Sequence, residues 1–438
     1  MTNKINIIKK FQVIFYIFPI IMLFPSGFVT TYVTIFTLFS FYYLHQLNHK
    51  IRLFLIDYLL LIFFLLSFFS TLINFKSDYV ILLKSLTDFR FALLFIIIRN
   101  LFIYKILKFR MLFLITIICT IFLSFDIFFQ HIFDYDFFGY KPSEGRYNGI
   151  FNDEAIAGSY IQKFFVISII GVLFANFKKK KFFLFLFINF IGLGILFSLD
   201  RMPYIIFFFI LLLSIILLKN YRFIFILSSI LSLILFTIIF TNNEKVNYRY
   251  KSLQNEINII KVINIVTMKS GFGLSKNPSS QELKDYEESA VKKSFFKGDY
   301  SKIAFSAYEV IKKNILFGSG IKSFHNECKK LFDSNKKLLC APHPHNMHLE
   351  ILVNTGVFGF FIFSLFIYKI LVENLKIIFI PISRNHKNLL IFSLILIVSE
   401  LFPLRSYGSI FQTVNGSMFW YLISLASALS FVKLKSNN

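Results

Sequence analysis

The sequence predicts an all-α polytopic membrane protein with about 12 transmembrane helices and one long periplasmic loop subdomain. Three observations carry this. Apolar runs recur from residue 11 to residue 433, and about 20 apolar residues are enough to cross a bilayer as a helix. Hydrophobic residues make up 56% of the 438, and 63 residues are Phe, whereas soluble domains are about 45–50% apolar. Charged residues cluster between the runs. In lipid every backbone polar group needs an internal partner, which a helix supplies within one run.

Taken in order, the runs place spans at 11–26, 27–45, 53–73, 79–102, 111–133, 155–176, 182–198, 202–218, 223–241, 347–368, 388–404 and 412–432. The first is followed at once by a second and has no small-residue cleavage site, so it reads as a retained span rather than a signal peptide. With the N-terminus in the cytoplasm, the short inner segments hold Lys4, Lys9, Lys10, Lys50, Arg52, Lys105, Lys108, Arg110, Lys178 to Lys181, Lys219, Arg222, Lys369, Lys376, Arg384, Lys387, Lys433 and Lys435. The short outer loops hold only Lys76, Lys141, Arg146, Arg201 and Arg405. Lys and Arg resist translocation, so this bias sets the orientation, with both termini cytoplasmic. The formal net charge of +24 therefore marks topology, and nucleic acid is not the expected partner.

The chain divides into 1–241 with spans one to nine, a periplasmic subdomain at 242–345, and 346–438 with the last three spans. A second external segment, 134–154, is rich in Gly, Pro, Asp and Asn, as a structured loop is. Within the long loop, Ile303, Ala307, Val310 and Ile311 share one helical face. That spacing predicts an amphipathic helix over 301–313 near the membrane surface, ended by Gly318-Ser319-Gly320. The polar stretch 268–300 reads as mobile. Cys119 sits inside a span as a small apolar residue. Cys328 and Cys340 lie in the external loop, where an oxidising periplasm leaves two states open, bridged or free.

The residues with most chemical content lie where that loop meets span ten. His343, His345 and His348 fall within six residues, framed by Pro342 and Pro344. Imidazole is the side chain whose unperturbed pKa lies near neutrality, and a general base must be held within about 3 Å of its proton. Alternatively the stretch is a polar helix cap, with Asn346 satisfying backbone donors. Gly356 and Gly359 follow as small residues that let a neighbouring helix approach. Arg201 and Arg146 share the outer side with His345. Arg201 serves either as an anion ligand or as an interfacial anchor beside Pro203, and Arg146 either as an anion ligand or as the partner of Glu144 or Asp153. Asp126, one turn before Gln130, either bonds an arginine or shapes the cavity. Lys163, Glu400 and the pair Asp88 and Arg90 lie in or near spans and require partners or a wet cavity.

The pattern His345-Asn346, nine residues, Gly356-x-x-Gly359 resembles that of the O-antigen ligase and polymerase family. Further stretches are similar in the same order: Asp126-x3-Gln130 with Asp136-Phe137-Phe138-Gly139-Tyr140; Arg146-Tyr147-Asn148-Gly149-Ile150-Phe151 with Asp153-Glu154 and Gly158-Ser159-Tyr160; Phe197-Ser198-Leu199-Asp200-Arg201; and Phe317 to Phe324 with Cys328 and Cys340. Together they cover about residues 120 to 410.

The resemblance implies an inner-membrane glycosyltransferase that moves a glycan from undecaprenyl diphosphate to an acceptor hydroxyl on the periplasmic side. The acceptor is a lipid A–core sugar for a ligase, or a second lipid-linked glycan for a repeat-unit polymerase. The lipid pyrophosphate is the leaving group, so no nucleotide sugar, ATP, other cofactor or metal ion is implied. His345 is then the base, with Asn346 and His343 in support, and Arg201 and Arg146 hold the pyrophosphate. Where many members carry an arginine at the start of the amphipathic helix, this chain has Asp299-Tyr300-Ser301-Lys302, which leaves Lys302 as the available point charge. A transporter or lipid-linked oligosaccharide flippase is the reading from another class. It would place its ionisable residues near the bilayer midplane rather than at the rim. A membrane sensor is a third, and leaves the arginine and histidine motifs unexplained.

Overall fold

The computed structural model describes residues 11–74, 79–175, 178–256, 299–332, 338–406 and 408–431, with the side chains of 252–256 excepted. The expected mobility of 268–300 falls mostly outside these residues. Among the described residues the protein is all-helical. A short helix α1 (Phe18–Ile21) is followed by α2 (Ser26–Gln46), α3 (Leu55–Ile73), α4 (Tyr79–Thr87), α5 (Phe89–Ile103) and α6 (Phe109–Phe133). Next come α7 (Ala157–Phe174), α8 (Lys180–Phe197), α9 (Arg201–Leu217), α10 (Arg222–Asn242) and α11 (Glu244–Glu256). The long loop supplies α12 (Asp299–Lys313) and α13 (Phe324–Phe332), and α14 (Met347–Ile378), α15 (Arg384–Glu400) and α16 (Thr413–Leu429) complete the chain.

Seven of the described helices are long and apolar enough to cross a membrane: α2, α3, α6, α7, α8, α10 and α14. The chain is a multi-pass membrane protein. The predicted span at 79–102 is broken into α4 and α5 at Asp88. The span expected to end at 368 runs on to Ile378.

The core follows from the Phe-rich composition. Trp420 on α16 is fully buried, with Phe63 and Phe64 of α3 and Phe363 and Phe366 of α14 around it. Phe18 and Tyr421 stack at 3.8 Å between ring centres. α10 leaves most of its surface uncovered, with Phe223, Ile226, Ile230 and Leu233 exposed, as a lipid-facing helix does. An ion in hydrocarbon is costly, and two buried carboxylates have cationic partners. Arg99 bonds Asp57, both fully buried, and stacks over Phe54. Asp88 takes Lys84 at 2.5 Å rather than Arg90, whose guanidinium lies over Phe91.

The amphipathic helix expected over 301–313 is present as α12, and the reading of Gly356 is corrected. The apolar face of α12 is covered by protein: Ile303, Ala307 and Val310 pack against Phe324 and Cys328 of α13, Leu338, and Val353 of α14. At Gly356 a turn, not a second helix, takes up the space beside α14. Gly356 has φ +64° and ψ −166° and interrupts α14, and a Cβ there would collide with Leu316 O and lie 2.6 Å from Gly318 N. The turn at 315–320 enters the gap. Val357 N donates to Ile315 O at 2.8 Å, while Ser319 N and Gly320 N donate to Val353 O and Asn354 O at 2.7 and 3.0 Å. The close neighbour of Gly359 is Thr355, on its own helix.

Candidate functional site

Segments of the 134–154 loop and the long loop meet the α8–α9 turn at one end of the bundle. Two polar residues of α6 hold the first loop. Asp126 Oδ1 and Oδ2 accept from Phe137 N and Ile150 N at 3.0 and 2.9 Å. Gln130 accepts from Gly149 N at 2.9 Å and donates to Tyr140 O at 3.1 Å. Asp126 is thus bonded to loop backbone at both oxygens. At the loop tip, Ser143 and Arg146 exchange backbone bonds of 2.9 and 3.2 Å around Glu144 and Gly145, at φ +51° and +69°. Positive φ at both central residues is the signature of a tight hairpin turn. That turn delivers Arg146, whose Nη1 donates to Asp200 Oδ1 at 3.1 Å. The partner is Asp200, neither Glu144 nor Asp153, because the hairpin folds back over the α8–α9 turn.

That turn is itself strained. Buried Leu199 has φ +61°, a conformation costing roughly 1–3 kcal/mol for a non-glycine residue. It is held from behind by α7. A methyl at Gly158 would collide with Ser198 Oγ and lie 2.8 Å from Asp200 Cβ, and Gly158 N donates to Asp200 Oδ2 at 3.2 Å. Asp200 is 6% exposed. Burial pushes its carboxyl up to about 6, against the opposing pull of Arg146 and the Gly158 amide. Arg201 is the next residue, the first of α9.

A third arginine arrives from α11. Lys245 donates to the Tyr147 hydroxyl at 3.0 Å, which ties α11 to the first loop. Val246 and Tyr250, four apart, are buried, and Tyr250 packs edge-on against Tyr204 and Phe236. Arg249 is thereby carried into range of Arg146, Arg201 and Asp200. Burial and the two like charges push its guanidinium below the ordinary value, and arginine stays cationic in proteins regardless.

The histidine side is built by the long loop. Cys328 and Cys340 are disulfide-bonded, with Cα atoms 5.5 Å apart. The segment leading to the histidines is fixed by His325 Nδ1 at 2.9 Å from Cys340 O and by Leu339 N donating to Ser306 Oγ at 2.9 Å. His345 then adopts φ +53°. Its ring lies 4.2 Å from that of His343 and meets Tyr300 edge-on at 6.0 Å, between ring centres. Burial pushes its imidazole below the ordinary value. Asn346 caps α14, accepting from Leu349 N at 3.1 Å, and donates to Pro403 O at 2.6 Å. His348 Nε2 lies 3.1 Å from Leu401 O.

The structure therefore gathers Arg146, Arg201 and Arg249 about Asp200, and His343 and Tyr300 about His345. Tyr300 belongs to both groups, because its phenol also acts on the Arg249 guanidinium. Lys302 instead sits 3.5 Å from Asp299 on its own helix. Sequence reasoning missed roles for Asp200, Arg249 and Tyr300. The signal for Arg249 was present: Val246 and Tyr250 at helical spacing mark a buried face just after an apolar run.

No curated protein matches the chain. Residues 182–364 match the family model described as O-antigen ligase, a range that includes Arg201, Arg249, Tyr300, His345 and Gly359 but not Arg146. That match supports placing the chain in the O-antigen ligase and polymerase family, whose members are enzymes of the glycosyltransferase type.

Proposed function

We propose that the protein transfers a glycan from undecaprenyl diphosphate to an acceptor hydroxyl at the periplasmic face of the bacterial inner membrane, in the manner of an O-antigen ligase. A repeat-unit polymerase would use the same base and the same pyrophosphate site. The observation that carries the proposal is a set of three arginines about Asp200, linked through Tyr300 to a half-buried histidine.

The lipid pyrophosphate is an anion, and three forked guanidinium donors suit its oxygens in position and charge. As the glycosyl bond to the phosphate oxygen breaks, negative charge grows on the leaving pyrophosphate. Preorganised cations stabilise that charge more than the starting state, which is how such sites accelerate reactions. His345, neutral at pH 7, takes the proton of the attacking hydroxyl. A single displacement of this kind inverts the donor linkage. Asp200 holds Arg146 in place and limits the repulsion among the three cations. The acceptor is a lipid A–core sugar or a second glycan, and the bilayer itself presents the donor.

The test is reconstitution in vesicles with an undecaprenyl-diphosphate-linked glycan and candidate acceptors. Transfer is expected without ATP and in the presence of a metal chelator. His345→Ala should abolish it while the protein still inserts and binds donor. Normal transfer by that variant would remove the base and, with it, the proposal.

A further inference from the structure

The bundle beneath the site contains a buried charged network that the scheme above does not use. Gln162 and Lys163 of α7, Glu400 at the end of α15, and Arg405 after it are all 4% exposed or less. Arg405 Nη1 donates to Glu400 Oε1 at 2.9 Å and to Ser399 O at 3.3 Å. Its Nη2 donates to Gln162 Oε1 at 2.7 Å. Lys163 lies close enough for the charges of Glu400 and Arg405 to act on it. One guanidinium thus satisfies a terminal carbonyl of α15, neutralises its last side chain and ties both to α7.

What these contacts fix is the turn at 401–405, which Arg405 N closes by donating to Phe402 O at 3.0 Å. Two carbonyls of that turn reach residues just C-terminal to the candidate base. Pro403 O accepts from Asn346 Nδ2 at 2.6 Å, and Leu401 O lies 3.1 Å from His348 Nε2. Immediately before the first of those anchors His345 holds φ +53°. A non-glycine residue keeps such a conformation only when its surroundings over-determine it. Replacing a buried ion pair with apolar side chains often leaves stability unchanged or raised, so stability alone does not account for the network. Its contacts lead instead to Asn346 and His348, the segment that follows His345.

We propose that Arg405, held by Gln162 and Glu400, is a positioning residue that sets the 401–405 turn and through it the orientation of the His345 imidazole. This rests on the reading of His345 as the base. The test compares Arg405→Lys, Gln162→Met and Gln162→Glu with the full-length protein in vesicles. Methionine removes the acceptor at similar volume and glutamate keeps one, so Gln162→Met probes the link even if Arg405→Lys fails to fold. Two readouts are taken: transfer kinetics, and the rate at which diethyl pyrocarbonate modifies His345, located by peptide mass spectrometry.

Arg405→Lys and Gln162→Met should lower kcat on the order of tenfold to a hundredfold, the scale expected of a small misplacement. Donor KM should stay unchanged, His345 should be modified faster than in the parent, and Gln162→Glu should behave as the parent does. Unchanged kcat and unchanged modification in both disrupting variants would overturn the proposal. So would a raised donor KM at constant kcat, which would place Arg405 in substrate binding. If His345→Ala retains transfer, the base reading fails, and the modification rates still decide whether Arg405 orients that imidazole.

Discussion

At the scale of single residues, the protonation of His345 controls the proposed reaction. Burial disfavours the imidazolium, so the folded-state pKa lies below the ordinary 6.5 and the ring is neutral at pH 7. Activity should therefore be flat around neutrality and fall as the pH drops below 6.5, where the base takes up a proton. Asp200, at about 6, titrates in the same window, so the pH dependence of kcat/KM should be measured in Asp200→Asn as well. The acid limb should persist there if His345 is its source. Arg249 gives a second test. Arg249→Ala should cost about 1.5–3 kcal/mol of donor interaction, the worth of a hydrogen bond to a charged group. Arg249→Lys should recover only part of this, because an ammonium lacks the fork. Donor titration of the two variants is the measurement.

At the scale of elements, α14 depends on its break. Gly356→Ala forces a side chain into a glycine-only conformation and against the Leu316 carbonyl. It should destabilise the fold by about 3 kcal/mol or more, read from thermal unfolding in detergent. The disulfide closes a short loop, and replacing both Cys328 and Cys340 with Ser should remove about 3 kcal/mol. It should also slow transfer, because His325 is bonded to Cys340 O in the segment leading to the histidines.

What was legible in the sequence follows the same physics. The membrane-length helices were readable because each rests on a long apolar run, and the cap reading of Asn346 because its residue type at a helix start suits one. Gly356 was read as a packing glycine, since a small residue in an apolar run looks the same whether a helix or a turn fills the space beside it. The partner of Arg146 was invisible because Asp200 lies 54 positions away and only the hairpin turn brings them together. Arg249 was obscured because the long loop was treated as one unit.

At the scale of the whole molecule, the placement of basic residues predicts that the site and the long loop share the periplasmic side of the membrane. Single cysteines at Ser143 and Tyr300 in a Cys119→Ala background should react with an impermeant maleimide from the periplasmic side. One at Lys219 should react only after permeabilisation. Label at Lys219 in intact spheroplasts would reverse the topology. The interruption of α14 also divides the chain in a way that the membrane boundary does not. The nine residues from Met347 to Thr355 are bonded at their end to the 318–320 turn, so they form one mechanical piece with the long loop. Chimaeras that exchange this loop between relatives to transplant acceptor preference should therefore be joined at Gly356. A junction at Asn346, the apparent edge of the span, would cut His345, the proposed base, away from the segment that carries it.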